Sequence, residues 1–289
     1  MLILFTDTDT DITLEMAKEF DYHLISMPYS IGDKTVYPYV DFDKFNAHEF
    51  YEMLRGGVLP VTSALNPSEY VRAFEPFLAK GDDILYVHFS RKMSGTFNSL
   101  DLALKELKEK YPSRTVSLID TKGITIGSLN IVLEIGEMYK AGKSFEEIQK
   151  WAETEVDKFA IYFFADDLKF FAKSGRVSGI AGFMGNLIGI KPIIYMGSDG
   201  VMTNIGKVKG RKNAVSTIVN YVKELGDDVK NHRIIVAHTD APKLVEATVN
   251  LLKEELGDDL NIVIVDVNPT AGSHCGPDSV GVSFHAIHR

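Results

Sequence analysis

The chain has 289 residues, with 31 Lys and Arg against 40 Asp and Glu, which gives a formal net charge of −9. An acidic chain without a long basic run is not typical of nucleic-acid-binding proteins, and no apolar stretch reaches the roughly 18 residues of a membrane helix. Residues 1–5 lack the basic start of a signal peptide. The single cysteine, Cys275, excludes an intrachain disulfide and a cysteine-rich zinc site. We therefore expect a cytoplasmic globular protein with no integral membrane segment and no nucleic-acid partner.

In the first half of the chain, short apolar runs alternate with amphipathic segments. Strands are predicted at residues 2–5, 84–89 and 115–119, and helices at 13–20, 67–78, 96–110 and 124–139. Residues 23–29 and 35–39 flank a turn and predict an inserted hairpin. Strands that alternate with helices indicate a parallel sheet covered on both faces.

A helix predicted at residues 145–158, capped by Ser144, ends the first half. The second half predicts a hairpin of strands 190–196 and 201–207, followed by helices at 211–225 and 242–256 and strands at 233–238, 261–267 and 280–285. This order indicates a mixed sheet with helices. We predict two α/β domains: residues 1–158 with a mostly parallel sheet flanked by helices, and residues 159–289 with a mixed sheet and helices.

Three acids at alternate positions, Asp7, Asp9 and Asp11, follow the first predicted strand. Carboxylates in such a turn commonly cap backbone N–H groups, but they also suit a metal bound through oxygen ligands. A third interpretation is a phosphatase of the haloacid-dehalogenase type, with Asp9 and Asp11 acting with Mg²⁺. In that case Ser90 and the pair at residues 166–167 would supply its later motifs.

Two hydroxyl-rich loops precede predicted helices. Residues 60–67 include Thr62 and Ser63, and residues 90–99 include Ser94, Gly95 and Thr96. Loops at the carboxyl ends of strands are where open α/β sheets bind ligands, and helix N-termini there favour an anion. The alternative for each loop is helix capping alone. If a ligand binds there, we expect an anionic end held mostly by neutral donors.

Two later segments suggest a pocket. Four glycines punctuate the apolar stretch 179–190, which follows Arg176, and residues 271–278 form a turn-rich segment around His274. The glycines indicate close packing or a helix that lines an apolar pocket. An acyl hydrolase using Ser94 with His274, or using Cys275, remains an alternative, although the G-x-S-x-G nucleophile motif is missing.

Taken together, these segments resemble the DegV family of bacterial fatty-acid-binding proteins nearly end to end. The similarity lies in Thr6-Asp7, Pro60-Val61-Thr62-Ser63, Ser94-Gly95-Thr96, Ile119-Asp120 with Gly127, Lys173-Ser174-Gly175-Arg176-Val177-Ser178, Gly189-Ile190-Lys191-Pro192, Asp199-Gly200 and Gly272-Ser273-His274-Cys275-Gly276-Pro277. Ala64-Leu65, Lys209 and Asp278 depart from the usual family pattern.

The resemblance implies a non-enzymatic carrier that holds a long-chain fatty acid between its two domains, with no catalytic residue, metal or cofactor. It places the fatty-acid carboxylate at Thr62, Ser94 and His274, and we expect further groups near it: Ser63, Gly95, Thr96, Arg176 and Arg211. For the acyl tail we expect a pocket formed by Ile180, Phe183, Met184, Leu187 and Ile188. The resemblance also implies a fatty acid kinase as partner, which would phosphorylate the bound fatty acid to an acyl phosphate for phospholipid synthesis.

Overall fold

A computed structural model describes residues 1–179 and 189–289. In chain order, the first half of the chain forms β1 (Leu2–Asp7), α1 (Leu14–Glu19), β2 (Tyr22–Ile25), β3 (Tyr29–Ile31), β4 (Lys34–Val36), α2 (Ala47–Arg55), β5 (Val61–Thr62), α3 (Pro67–Leu78), β6 (Asp83–His88), α4 (Thr96–Lys110), β7 (Val116–Asp120), α5 (Ile126–Lys140) and α6 (Phe145–Glu155). The second half forms β8 (Phe159–Phe164), α7 (Lys169–Ser174), β9 (Val177–Ser178), β10 (Ile190–Met196), β11 (Met202–Lys209), α8 (Arg211–Leu225), β12 (Ile234–His238), α9 (Pro242–Leu256), β13 (Ile262–Asp266), α10 (Pro269–Cys275) and β14 (Val280–His285).

The first half is built on a parallel sheet with the order β2-β1-β6-β7. The carboxyl ends of all its strands therefore meet at one edge, as the alternating pattern predicted. The predicted hairpin is shorter than expected and lies outside this sheet. Residues 22–25 join the parallel sheet as β2, whereas β3 pairs with β4 and with β5 in a small antiparallel sheet.

The second half is built on a mixed sheet with the order β13-β12-β14-β8-β10-β11-β9. The hairpin of β10 and β11 is antiparallel, whereas β12 and β13 run parallel through the crossover helix α9. The α/β class predicted for both halves is confirmed.

Local sequence explains where several helices begin. The Ser144 Oγ atom accepts the N–H of Glu147, and the Ser144 N–H donates to the Glu147 carboxylate, so both ends of the first turn of α6 are satisfied. Asn66 and Glu69 form the same capping box ahead of α3, with Pro67 in its first turn. These caps start both helices where the sequence predicted.

The helix α5 lies between the two large sheets. Ten of its residues are buried, and it packs against β8, β12 and β14 of the second half as well as against elements of the first. A side chain at Gly127 would press on Ile161 of β8, so this glycine permits the close approach of the helix. One hydrophobic cluster consequently runs from Leu4 and Ile84 through α5 to Ile235.

Candidate functional site

A cavity of about 270 Å³ is lined by residues from both halves of the chain. Its apolar lining residues are Met27, Ala64, Phe89, Met93, Ile124, Ile126, Ile161, Phe163, Phe171, Met202, Ala237, Val267, Ala271 and Val280. Its polar lining residues include Asp9, Thr62, Ser63, Ser94, Thr125, Arg176, Thr239, Thr270, His274 and Ser279. Apolar walls with a few polar groups are typical of a site that orients an amphipathic small molecule.

The exposed residues of the cavity lining are predicted head-group residues or their neighbours in sequence. Ser63, Ala64, Gly95 and Arg176 are exposed, whereas most of the apolar lining residues are buried. The cavity therefore opens at the end that carries the hydroxyl loops.

Thr62 and His274, 212 residues apart in sequence, meet at this end. The Thr62 Oγ1 atom lies 3.0 Å from the His274 Nε2 atom, within hydrogen-bond distance. Thr62 is the last residue of β5, which is held in place by pairing with Tyr29 and Ser30 of β3.

The expectation that residues 271–278 form a loop is wrong for its first part, since His274 lies on the short helix α10. The Asn268 Oδ1 atom accepts the N–H of Ala271, and Pro269 fits the first helical turn. The helix ends at Cys275 and is capped by Gly276, whose φ of 73° suits a residue without a side chain. The N-cap Asn268 lies before the segment that was predicted as a loop. A helix therefore forms there despite the turn-rich composition of residues 271–278.

The imidazole of His274 is held neutral at physiological pH. Burial, together with the positive charge of Arg176, lowers the pKa of His274 to about 4. A neutral imidazole carries one N–H donor and one acceptor nitrogen, so it can bind both the Thr62 hydroxyl and an oxygen of a ligand.

Ser94 lies at the turn between β6 and α4 and lines the cavity half-buried. Its Oγ atom accepts the N–H of Thr96 at 3.2 Å, which leaves the hydroxyl proton able to donate elsewhere. Gly95, also a lining residue, is the N-cap of the 15-residue helix α4. The positive end of that helix dipole therefore lies at the cavity and favours an anion.

The other expected head-group neighbours differ in position. Ser63 and Arg176 line the cavity, and the Arg176 Nη1 atom donates to the carbonyl of Ser174 at 2.6 Å. Thr96 is buried outside the lining, where its Oγ1 atom accepts the N–H of Leu65 and lies 2.9 Å from the Tyr70 hydroxyl. Thr96 thereby ties the two hydroxyl loops together.

Arg211 is engaged away from the cavity. Its Nε and Nη2 atoms donate to the two carboxylate oxygens of Asp166 at 2.8 and 2.9 Å, and it is not a lining residue. Lys191 also pairs with Asp166, and together these cations lower the pKa of that carboxyl despite its burial. Asp166 thus has a structural ion pair rather than the free carboxylate that a phosphatase motif would need.

The three acids of the first loop have separate surroundings. The Asp7 carboxylate accepts the Tyr86 hydroxyl and the N–H groups of Phe89 and Asp9, and Asp11 accepts two N–H groups of Asn268. Asp7 and Asp11 therefore cap and cross-link loops. Asp9 is a lining residue of the cavity, and its burial raises its pKa to about 7.

Candidate metal-binding groups can be described for residues 1–179 and 189–289. In those residues, one group has a spacing that suits a metal ion: His48, Glu52 and Asp240, which does not include the acids of the first loop. Arg55 already pairs with Glu52 and Asp240, which supplies positive charge at that group.

The residues predicted for the acyl-tail pocket, Ile180, Phe183, Met184, Leu187 and Ile188, lie outside the described residues. The described apolar wall comes from α5 and the loops of the first half, and from β8, α7, β11, β12, α10 with the segment before it, and β14. Sequence reasoning missed these residues because buried strands of a mixed sheet carry the same apolar pattern whether or not they line a cavity.

A family model described as an uncharacterised protein of the DegV family matches residues 1–286. The chain belongs to the DegV family. A DegV domain-containing protein of Clostridium perfringens is 31% identical over 98% of this chain and 96% of the relative, and a second from the same organism is 30% identical over 97% of each chain.

Solved structures of DegV proteins share this fold. A fatty-acid-binding DegV family protein from Thermus thermophilus has a TM-score of 0.85 at 22% identity and covers 99% of each chain. DegV from Bacillus subtilis, described as a fatty-acid-binding protein, has a TM-score of 0.81 at 24% identity, again over 99% of each chain. In this chain, the helices among the described residues are all too short or too polar to span a lipid bilayer.

Proposed function

We propose that this protein binds one long-chain fatty acid non-covalently and acts as a carrier rather than an enzyme. The carboxylate lies at the open end of the cavity against Thr62, Ser94 and His274. The acyl tail extends along the apolar wall into the space between the two sheets. The observation that carries this proposal is the pairing of Thr62 with His274 at the polar, exposed end of an otherwise apolar cavity.

The chemistry of the open end supports binding of a carboxylate by neutral donors. The Ser94 hydroxyl has a proton to donate, and the neutral His274 ring offers an N–H in one of its tautomers. The Thr62 hydroxyl lies 3.0 Å from that ring. Hydrogen bonds to an ionised carboxylate are roughly twice as strong as bonds between neutral groups. Arg176, exposed at the same end, adds positive charge without a buried ion pair.

The tail supplies most of the binding free energy in this proposal. Each buried methylene contributes about 0.8 kcal/mol, so a chain of about 14 methylenes contributes roughly 11 kcal/mol before the costs of association and ordering. The polar end then fixes the direction in which the ligand enters.

We further propose that a fatty acid kinase uses the bound ligand, in the cytoplasm, where ATP is supplied. A carboxylate oxygen would attack the γ-phosphorus of ATP, form the acyl-phosphate bond and release ADP, and the product would enter phospholipid synthesis. An open carboxylate end with exposed Ser63, Gly95 and Arg176 supports such a hand-over because a second protein can reach it. The division at residue 158 remains our proposal for the domain boundary.

The carrier proposal is tested by native mass spectrometry of freshly purified protein, followed by delipidation and titration with octadecanoic acid. We expect one non-covalent fatty acid per chain, and saturable uptake of one equivalent after delipidation. No lipid on extraction together with no uptake of added fatty acid contradicts the proposal.

Two catalytic alternatives are tested in the same preparation. For a hydrolase, Cys275 is an unfavourable nucleophile because burial raises the pKa of its thiol to about 12. The His274 ring lies within hydrogen-bond distance of the Thr62 hydroxyl, so its Nε2 atom already has a partner other than Ser94. For a phosphatase, Ser90 would supply a later motif, but its hydroxyl proton already has a structural partner, the carbonyl of Gly200 at 2.7 Å. We expect no turnover of acyl or phosphate esters. Turnover that disappears in Ser94→Ala or Asp9→Asn supports an enzyme instead.

A further inference from the structure

A pair of stacked histidines lies where the two halves of the chain meet. The ring centroids of His232 and His285 are 4.0 Å apart, and the two ring planes are inclined by 15°. His285 lies on β14 and is 5% exposed, whereas His232 precedes β12 and is half-buried. Neither histidine is a lining residue of the cavity, so the binding site described above does not account for the pair.

Both nitrogens of the His285 ring face oxygen atoms. The Nε2 atom lies 3.2 Å from the Glu155 Oε2 atom, and the Nδ1 atom lies 3.1 Å from the carbonyl oxygen of Asp227. A neutral imidazole has one N–H and would leave its other nitrogen lone pair against an oxygen, whereas an imidazolium donates to both. Despite its burial, the Glu155 carboxyl has a lowered pKa because it bonds to Lys158 and His285. These contacts favour a charged His285 paired with a charged Glu155.

The charge on His285 acts on the ring stacked against it. Burial and the neighbouring His285 lower the pKa of His232. Three carboxylates oppose this shift without overcoming it: Asp228, Asp227 and Glu155. A neutral imidazole can stack on an imidazolium, but two imidazolium rings with centroids 4.0 Å apart repel each other.

The other charged residues close to His232 in the chain are engaged elsewhere. Lys230 pairs with Asp259, and Arg233 pairs with Glu134 and Glu137. The charge balance at the His232 ring is therefore set by His285 and the three carboxylates.

His285 forms a joint between the two halves of the chain. Through Glu155 it contacts the end of α6, and through Asp227 it contacts the segment between α8 and β12. The Asp227 N–H also donates to the His285 carbonyl at 3.0 Å. Because β14 begins at Val280, a lining residue of the cavity, the joint of His285, Glu155 and Asp227 lies on a strand that also forms the cavity wall.

We propose that the stack of His232 and His285 is an acid-sensitive switch that holds this joint closed at neutral pH and loosens it at acidic pH. Protonation of His232 places a second positive charge against His285, and the repulsion separates the rings and weakens the contact with Glu155. A histidine whose pKa is lowered by folding binds fewer protons in the folded chain than in the unfolded one. Its contribution to stability is therefore lost as the pH falls below about 6.5, the ordinary pKa of a histidine. This inference does not depend on the proposed fatty-acid binding.

The test follows thermal unfolding of the ligand-free protein from pH 7.5 to pH 5. His232→Phe keeps an aromatic ring but takes up no proton, and the control His288→Phe replaces an exposed histidine outside the stack. Over this range, we expect the melting temperature to fall further in the wild type and in His288→Phe than in His232→Phe, by about 2–4 °C or more. At pH 5, amide hydrogen exchange of residues 283–286 should be faster in the wild type than in His232→Phe.

Three results overturn the inference. The first is an equal loss of melting temperature in the wild type and in His232→Phe. The second is a loss in His288→Phe as small as that in His232→Phe, since the effect would then not be specific to the stack. The third is exchange of residues 283–286 that is the same in the wild type and in His232→Phe at pH 5. His232→Gln, which is uncharged and has no ring, provides the same comparison if His232→Phe does not fold, and a loss as large as that of the wild type also contradicts the switch.

Discussion

Ser94→Ala should weaken fatty-acid binding about 10- to 150-fold while the protein stays folded. The Ser94 Oγ atom accepts the N–H of Thr96, so its proton is the part of the side chain left for a ligand carboxylate. One hydrogen bond to a charged group contributes about 1.5–3 kcal/mol, which gives this range of affinities. The acyl tail still supplies most of the binding free energy, so binding should remain measurable.

The substitution also removes the acceptor for the Thr96 N–H at the start of α4. We expect this loss to cost about 1 kcal/mol of the free energy of unfolding, as for a lost N-cap. Isothermal titration with octadecanoic acid measures the affinity, and thermal unfolding without ligand measures the stability. Ser216→Ala, at an exposed position on α8, is the matched control and should change neither.

An unchanged affinity in Ser94→Ala would refute the reasoning, because the hydroxyl would then be only a cap. The carboxylate would have to lie elsewhere at the open end, with Arg176 as the next candidate. Complete loss of binding with a folded protein would also contradict it, since the tail could then not dominate the affinity.

Three other predictions follow from contacts in and beside the cavity. Gly276→Ala should lower the free energy of unfolding by about 2–4 kcal/mol and weaken ligand binding, because the backbone has a φ of 73° and the new Cβ atom would overlap the Phe170 ring. The control Gly142→Ala, at a φ of 77° with free space around it, should lower the free energy of unfolding by about 1 kcal/mol, and thermal unfolding compares the two. Asp9→Asn should raise the melting temperature above about pH 7 and have less effect near pH 5, because the raised pKa of Asp9 makes its charged form destabilise the fold as the pH rises; an effect confined to low pH contradicts this. His274→Ala should reduce kinase-dependent acyl-phosphate formation more than it reduces fatty-acid affinity, and equal losses in the two assays would show that the ring serves binding alone.

Where local signals are strong, the fold could be predicted closely from the sequence. The helices α3, α4, α8 and α9 have the predicted bounds, and caps such as Asn66 with Pro67 explain why. The helix α2 was missed, and α10 was predicted as a loop, because short helices among polar or turn-forming residues carry weak periodicity. Their boundaries depend on contacts such as that of the Tyr51 hydroxyl with the carbonyl of Val267.

The residues of the candidate site could be predicted only through the family resemblance. No local pattern relates Thr62 to His274, yet the structure brings them to 3.0 Å. The pocket walls were not predictable, since Ile161 and Met202 line a cavity only because β8 and β11 face the loops of the other sheet. The sequence shows Asp9 as one of three alternating acids, but no local pattern separates it from the capping acids Asp7 and Asp11.

The position of α5 has a consequence for synthesis on the ribosome. Its residues precede β8, β12 and β14 in the chain, yet the helix packs against all three, and the Asn130 Nδ2 atom donates to the Ser283 Oγ atom at 3.4 Å. While the second half is still being translated, the nascent parallel sheet therefore presents an uncovered apolar face along α5. Exposed apolar surface of this kind attracts chaperones and promotes aggregation, so the first half should reach its final packing only after β14 has emerged.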